Sequence, residues 1–421
     1  MSAMVSVTEA LKHILDDVSP LSLEKVLLLN ALGRVLGEDI SAYRDIPPHN
    51  HSAMDGYVIR SIDSLLATPD VPVRLRVIGE IPAGVMPQKG LSSGETAQIM
   101  TGAILPPCGD TIIRKEDVKR EGEWISVFSS YPPGYDVRMA GSDAHCGDVV
   151  VQKGQVLGPA EIGMIAAAGR SFVFVYQRPT VAVISTGNEL VDVDQSPSSW
   201  EIINVNGYAG IAHISECGAI PVYLGIARDN KEDIARLFQA ASRADVILSS
   251  GGVSLGNYDF VKDVVIDSGN SLHFWQVAMK PGKPLAYGRV YGKIFFGLPG
   301  NPVSSMISFE QFVRPALLKM MGHTCLFRRT IRAVVEEDIQ KKEGMTHFIR
   351  ARIECCGGRY RVLPTGGHNA NMLKSMVGAN GLIVLPENAT TLKKGDEATI
   401  QLLDHSFCLT SKPDYLQQNI L

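Results

Sequence analysis

The stretch TVAVISTGNEL, Thr180 to Leu190, decides the fold when it is set beside PVYLGIARDN (Pro221 to Asn230), DVILSSGGVSLGNYDF (Asp245 to Phe260) and KIFFGLPGNPVS (Lys293 to Ser304). Each opens on a short apolar, largely β-branched or aromatic run and ends in Gly, Ser, Thr, Asn or an acid, the pattern of a buried strand leading into a loop. Between them lie helical segments: Gly207 to Cys217 with Gly218 behind it, Asn230 to Ala244, Phe260 to Ile266, and Val303 to Met321 closed by Gly322. FWQVAM and PLAYGRV add a strand pair ahead of KIFFGL. Apolar strands alternating with helices predict an α/β domain with a mainly parallel sheet covered on both faces, and such sheets bind ligands beyond the carboxyl ends of their strands.

Outward from this segment the pattern changes on both sides. Toward the N-terminus, Ser6 and Glu9 form a capping box ahead of Val7, Leu11, Ile14, Leu15 and Val18 at helical spacing, and a second short helix is expected over Leu23 to Leu32, ending at Gly33. VPVRLRVIGEI, ETAQIM, TIIRKEDV and EWISVF, separated by Pro and Gly, read as a β-rich domain. After Arg328, TIRAVVEEDI, HFIRARIECC, RYRVLP, GLIVLP and EATIQLL predict a small β-barrel or sandwich. The expected layout is a helical and linker region over 1–45 and 147–178, a β-rich insertion over 46–146, the α/β domain over 179–327, the second β domain over 328–404, and a tail over 405–421.

With 421 residues the chain has room for several domains, and 40 Lys plus Arg against 44 Asp plus Glu leave a net charge of −4. That balance argues against a field that recruits nucleic acid or an acidic membrane, so an anion site has to be local. No apolar run is long enough to span a bilayer and the N-terminus carries no secretory pattern, so a cytoplasmic location is expected. Seven cysteines, an odd number without a CxxC pair, speak against a disulfide framework or a zinc ribbon. The adjacent Cys355 and Cys356 read as space-filling thiols on a strand.

The loops carry the chemistry. Thr186-Gly187-Asn188-Glu189 and Gly251-Gly252-Val253-Ser254 follow strands, and glycines there let backbone N–H groups approach an anion at a helix N-terminus; a tight turn gives the same local sequence. Lys280-Pro281-Gly282-Lys283-Pro284 sets two ammonium groups on a stiffened turn between apolar runs, a device for a small oxyanion. Gly297-Leu298-Pro299-Gly300-Asn301-Pro302 repeats the rigid turn ahead of a helix. Glu189, Asp229 and Asp259 stand at strand ends, where carboxylates beside a phosphate-type cradle imply an intervening Mg²⁺. Asp229 reads equally well as a cap for the helix starting near Asn230. His49 and His51 read as solvated loop residues, since no third metal ligand stands nearby.

SAMDGY (Ser52 to Tyr57), STGNEL (Ser185 to Leu190), SSGGVSLGNYD (Ser249 to Asp259), KPGKP (Lys280 to Pro284) and GLPGNPVS (Gly297 to Ser304) occur in one order along the chain. Together they resemble the MoeA-type molybdenum insertases, molybdopterin molybdotransferases related to the E domain of gephyrin. The resemblance implies a three-layer α/β molybdopterin-binding domain, an elongated N-terminal helical and β region, a C-terminal β-barrel domain, and a homodimer. It also implies insertion of molybdate into adenylylated molybdopterin with Mg²⁺ and release of AMP. Carried over by motif, Ser254, Lys280, Lys283, Pro284, Arg350 and Ser375 bind molybdate. Thr186, Gly251, Gly252, Pro299, Asn301 and Pro302 are further substrate-binding residues, with Glu189, Asp229 and Asp259 holding Mg²⁺ and the adenylate side. Asp55, Arg138 and Asp143 act across the dimer, and other cofactor-biosynthesis proteins are expected partners. Two departures stand out: Ser142 where many bacterial relatives have Glu, and His368-Asn369-Ala370 where they have Gln-Gly-Ser. These departures keep open a repurposed paralogue; a gephyrin-like scaffold and the adenylating enzyme one step upstream are the other readings.

Overall fold

The computed structural model describes residues 4–252, 261, 264–265, 272–356, 358–366 and 372–403. The chain packs as two units, one made of Met1–Glu24 with Tyr176–Leu421 and the other of Lys25–Val175.

In the first unit, helix α1 (Val7–Asp17) starts at the expected capping box: Glu9 N donates to Ser6 Oγ at 3.2 Å and Ser6 N to Glu9 Oε2 at 2.8 Å. Its apolar stripe, Ala10 and Ile14, is buried in the core of the α/β layer. That layer is built on β1 (Thr180–Thr186), α2 (Val205–Glu216), β2 (Ile220–Ala227), α3 (Lys231–Ala241), β3 (Val246–Ser250) and β4 (Leu272–Gln276). It continues through β5 (Met279–Lys280), β6 (Pro284–Val290), β7 (Lys293–Leu298), α4 (Pro302–Ser308) and α5 (Arg314–Met320). The sheet order is β2-β1-β3-β7-β6-β4; the first four strands are parallel, and β6 pairs antiparallel with both β7 and β4. Two cores flank it. Ile214, Val303, Phe309, Phe312 and Leu317 pack on one face with α1, and Ile234, Phe238, Val261 and Val265 on the other. The two-sided burial of β1 and β3 agrees with the unbroken apolar runs that predicted it.

The expected single helix over Val303 to Met321 is interrupted: a π turn, Phe309–Val313, separates α4 from α5. Pro315 explains the break, because its ring leaves no N–H for the carbonyl of Gln311 and collides with it in a regular α-helix.

Beyond α5, β8 (Thr330–Val335), β9 (Thr346–Cys356), β10 (Arg359–Pro364), the single helical turn α6 (Lys374–Val377), β11 (Gly381–Leu385) and β12 (Glu397–Leu402) form the second β domain. Pairing runs β9-β10-β8-β12-β11, and β11 pairs back onto β9, closing a barrel around Val335, Ile349, Ile383 and Ile400. β5 attaches to this barrel in parallel, Lys280 opposite His347.

Where the chain passes into the second unit, Leu23–Leu27 is a strand with alternating exposure, followed by one 3-10 turn, Leu28–Asn30, in place of the expected helix. Leu28 N donates to the Ser171 carbonyl, so β-type pairing overrides a sequence rich in helix-forming Leu, Glu and Lys. A six-stranded sheet within 56–127 holds two cores, one around Tyr57, Leu75 and Ile125 and one around Val58, Ile99 and Ile112. Among the described residues no helix is long and apolar enough to cross a membrane.

Candidate active site

The loops at the carboxyl ends of β1, β2, β3 and β7 converge on a cleft of about 720 Å³. Thr186, Glu189, Asp229, Gly251, Gly252, Pro284, Pro299, Asn301 and Pro302, each anticipated from sequence, line it. Gly251 and Gly252 have φ of +88° and +63°, and a Cβ on Gly251 would lie 2.5 Å from the Thr186 carbonyl oxygen. Only glycine closes this turn, which leaves the backbone open to a ligand. Gly251 N donates to Leu298 O at 3.1 Å, and Asn206 Nδ2 donates to Gly300 O at 2.7 Å, so the loops after β3 and β7 and the first turn of α2 are hydrogen-bonded into one wall.

The two described acidic residues are held differently. Asn230, not Asp229, caps α3: its side chain accepts from Asp233 N at 2.8 Å. Asp229 instead forms a reciprocal pair with Asn188, its Oδ2 accepting from Asn188 N at 3.1 Å and its own N donating to Asn188 Oδ1 at 3.0 Å. Arg228 Nη1 donates to the Asn188 and Leu190 carbonyls at 2.8 and 3.2 Å, so the segment bearing Glu189 is tied to the one bearing Asp229. On the wall, Asn204 caps α2 through Gly207 N and donates to Tyr223 Oη at 2.9 Å; Tyr223 and Tyr208 both donate to Asp192. The Tyr208 bond holds the Asp192 carboxyl below its usual range, and Asp192 pushes the Tyr208 phenol up to about 12. Sequence analysis gave no role to Asn188, Asn204 or Arg228. Asn188 lies inside STGNEL and Arg228 inside PVYLGIARDN, but both, like Asn204, are single polar residues at a strand or helix end with no spacing that marks a role.

The lysine loop reaches the cleft through Pro284, while Lys280 and Lys283 are exposed beside it and outside the cleft lining. Arg350 on β9 and Ser375 on α6 meet: Arg350 Nε donates to Ser375 Oγ at 2.9 Å, and Ser375 Oγ donates to Met372 O at 2.6 Å. Arg350 is 4% exposed, and burial pulls its pKa below the ordinary guanidinium value. Register links the two groups of cations, since Lys280 lies opposite His347 three residues before Arg350 on the same strand. Ser254, Asp259 and His368-Asn369-Ala370 lie outside the described residues. Among the described residues no three His, Cys, Asp or Glu side chains gather as a metal centre; Glu189 and Asp229 are the carboxylates that reach the cleft.

In the second unit, Thr101 N and Oγ1 both donate to Asp55 Oδ1 at 2.8 Å and hold its carboxyl below the usual range. Thr101 directly follows the run ETAQIM and carries no pattern that would mark it in the sequence. Arg138 Nη2 donates to Asp143 Oδ2 at 2.8 Å, and the strand carrying Arg138 pairs with His51–Ser52 just ahead of Asp55. Ser142 keeps its turn through a backbone bond to Met139 O.

A glycine-lined crevice at parallel strand ends, walled by helix N-termini with two exposed lysines beside it, is the ligand-binding edge of a doubly wound α/β protein. Comparison with known proteins narrows this. Residues 5–169 match the MoeA N-terminal region (domain I and II), 182–319 the probable molybdopterin binding domain, and 332–403 the MoeA C-terminal region (domain IV). A molybdopterin molybdenumtransferase of a Nostoc species is 34% identical over 90% of this chain and 88% of its own length; one from Staphylococcus aureus is 32% identical over 95% and 96%. The crystal structure of a molybdopterin biosynthesis MoeA protein from Pyrococcus horikoshii superposes with a TM-score of 0.82 at 33% identity, covering 95% of this chain and 99% of that one. The chain belongs to the MoeA family of molybdopterin molybdenumtransferases, and is a transferase of molybdenum cofactor biosynthesis.

Proposed function

We propose that this chain inserts molybdate into adenylylated molybdopterin with release of AMP, in a Mg²⁺-dependent reaction carried out by a homodimer in the cytoplasm. The observation that carries the proposal is the arrangement of the first unit: a carboxylate-bearing glycine cleft beside a lysine loop whose strand is stitched to the one bearing Arg350. The cleft suits the pterin adenylate. The Gly252 backbone and the turn ahead of α4 face its phosphate, and Asn206 holds that turn in place through the Gly300 carbonyl. Lys280, Lys283, the Arg350–Ser375 pair and Ser254 supply donors without a carboxylate among them, the chemistry a tetrahedral dianion needs.

Glu189 and Asp229 present hard oxygen ligands on one cleft, a donor set that fits Mg²⁺ together with Asp259 and water. A bound Mg²⁺ would neutralise charge at the phosphate. The chain's own contribution there is orientation: the Asn188 pair fixes Asp229, and Arg228 fixes the backbone ahead of Glu189. Asp55, held by Thr101, and Asp143, held by Arg138, are assigned to the α/β site of the partner subunit. The test is AMP release by purified protein given adenylylated molybdopterin, Mg²⁺ and molybdate. Release that requires molybdate supports the reading, and release indifferent to molybdate overturns it. Mixed dimers of Asp55→Ala and Glu189→Gln subunits recover activity only if one site draws on both chains.

A further inference from the structure

The π turn Phe309–Val313 is buried throughout, yet it carries a carboxylate and an amide side by side, Glu310 and Gln311. Burying such groups is costly unless each finds a partner, and both find one on the barrel side. Arg328, leading into β8, donates through Nε to Glu310 Oε1 at 2.8 Å and through Nη2 to Glu216 Oε1 on α2 at 2.9 Å. Gln311 Nε2 donates to Gln401 Oε1 on β12 at 2.7 Å. Immediately before the turn, Ser308 faces the lysine loop. A Cβ on Gly282, where φ is +102°, would lie 2.5 Å from Ser308 Oγ. That oxygen is fully buried with no hydrogen-bond partner among the described residues. One short segment therefore touches the lysine loop on one side and the barrel on the other.

We propose that Ser308 and the π turn form the joint that holds the lysine loop and the Arg350–Ser375 pair in register around molybdate, with Glu310 and Gln311 as positioning residues. This rests on the reading of the molybdate site given above. A regular α-helix through Pro315 would rotate Glu310 and Gln311 about the axis relative to Ser308, and the two sets of contacts would no longer be made together. The joint explains why buried polar groups persist where apolar ones would pack as well: hydrogen bonds specify one orientation, and apolar contact tolerates several.

The test is molybdate binding by the full chain, measured by calorimetry beside binding of adenylylated molybdopterin. Glu310→Ala and Gln311→Ala are expected to weaken molybdate about tenfold or more and to leave the pterin adenylate within about twofold. Glu310→Gln keeps an oxygen acceptor for Arg328 and is expected to stay within about threefold of the unmodified chain. Ser308→Val, which adds bulk against Gly282, weakens molybdate, whereas Ser308→Ala does not. Wild-type molybdate affinity in Glu310→Ala, Gln311→Ala and Ser308→Val, or equal losses of both ligands, overturns the joint. If the alanine variants at 310 and 311 fail to fold, the contrast between Ser308→Val and Ser308→Ala decides. An unmodified chain that binds no molybdate overturns the site reading together with the joint, while normal binding by the variants overturns the joint alone.

Discussion

Asp229 and Asn230 are neighbours with separate tasks: the amide closes the first turn of α3, and the carboxylate is left to the cleft. Asn230→Ala should therefore cost about 1 kcal/mol of stability, a few degrees in thermal melting, with AMP release retained. Asp229→Ala should abolish release while shifting the melting temperature less; the reverse pattern would exchange the two assignments. Lys283 makes the second residue-scale prediction. Its exposed ammonium sits on a turn fixed by Val277 N donating to the Lys283 carbonyl at 2.9 Å, so Lys283→Ala removes charge without disturbing the backbone. Loss of one charge-assisted hydrogen bond, about 1.5–3 kcal/mol, corresponds to molybdate affinity about ten- to a hundredfold weaker, with adenylate affinity unchanged. Competition binding with each ligand separates the two.

Among elements, the loops after β1, β3 and β7 were legible because glycine and proline mark them in the sequence and the flanking runs are apolar on both faces. Gly251→Ala is the corresponding test. At φ +88° with the Thr186 carbonyl 2.5 Å from the added carbon, it should destabilise by more than about 1 kcal/mol and abolish adenylate binding, read by calorimetry and melting together. What the sequence concealed has physical causes as well. Leu23–Leu27 has the composition of a helix and becomes a strand because a distant segment offers it hydrogen bonds. The break in the last helix of the α/β layer was visible only as Pro315, whose effect on Glu310 and Gln311 depends on partners arriving from the barrel. The tie between Asn188 and Asp229 joins positions forty-one residues apart, beyond any local pattern. Lys280 and Arg350 were assigned to one site by family resemblance, and only strand register shows how the backbone connects them.

For the molecule as a whole, the contact between α2 and the barrel makes stability depend on acid. The Glu216 carboxyl is lowered from 4.5 to about 2 by the His213 imidazole and by Arg328. A carboxyl depressed by folding stabilises above its unfolded value and loses that contribution as pH falls, so the window runs from about pH 4.5 down to about 2. Glu216 is partly exposed, so screening keeps the effect small. The melting temperature of the unmodified chain should exceed that of Glu216→Gln near neutrality, and the gap should narrow across this window; a constant gap would refute the linkage. Salt should narrow it further.

The division of the chain has a kinetic consequence. Helix α1 belongs to the core that Tyr176 and later residues complete, yet Lys25 to Val175 are translated in between. At ribosomal speeds of about 5–20 residues per second, Ala10 and Ile14 emerge roughly ten to thirty seconds before β1 begins to appear. Throughout that interval the nascent chain carries an apolar stripe whose native cover has not yet been made, the kind of surface that holdase chaperones bind.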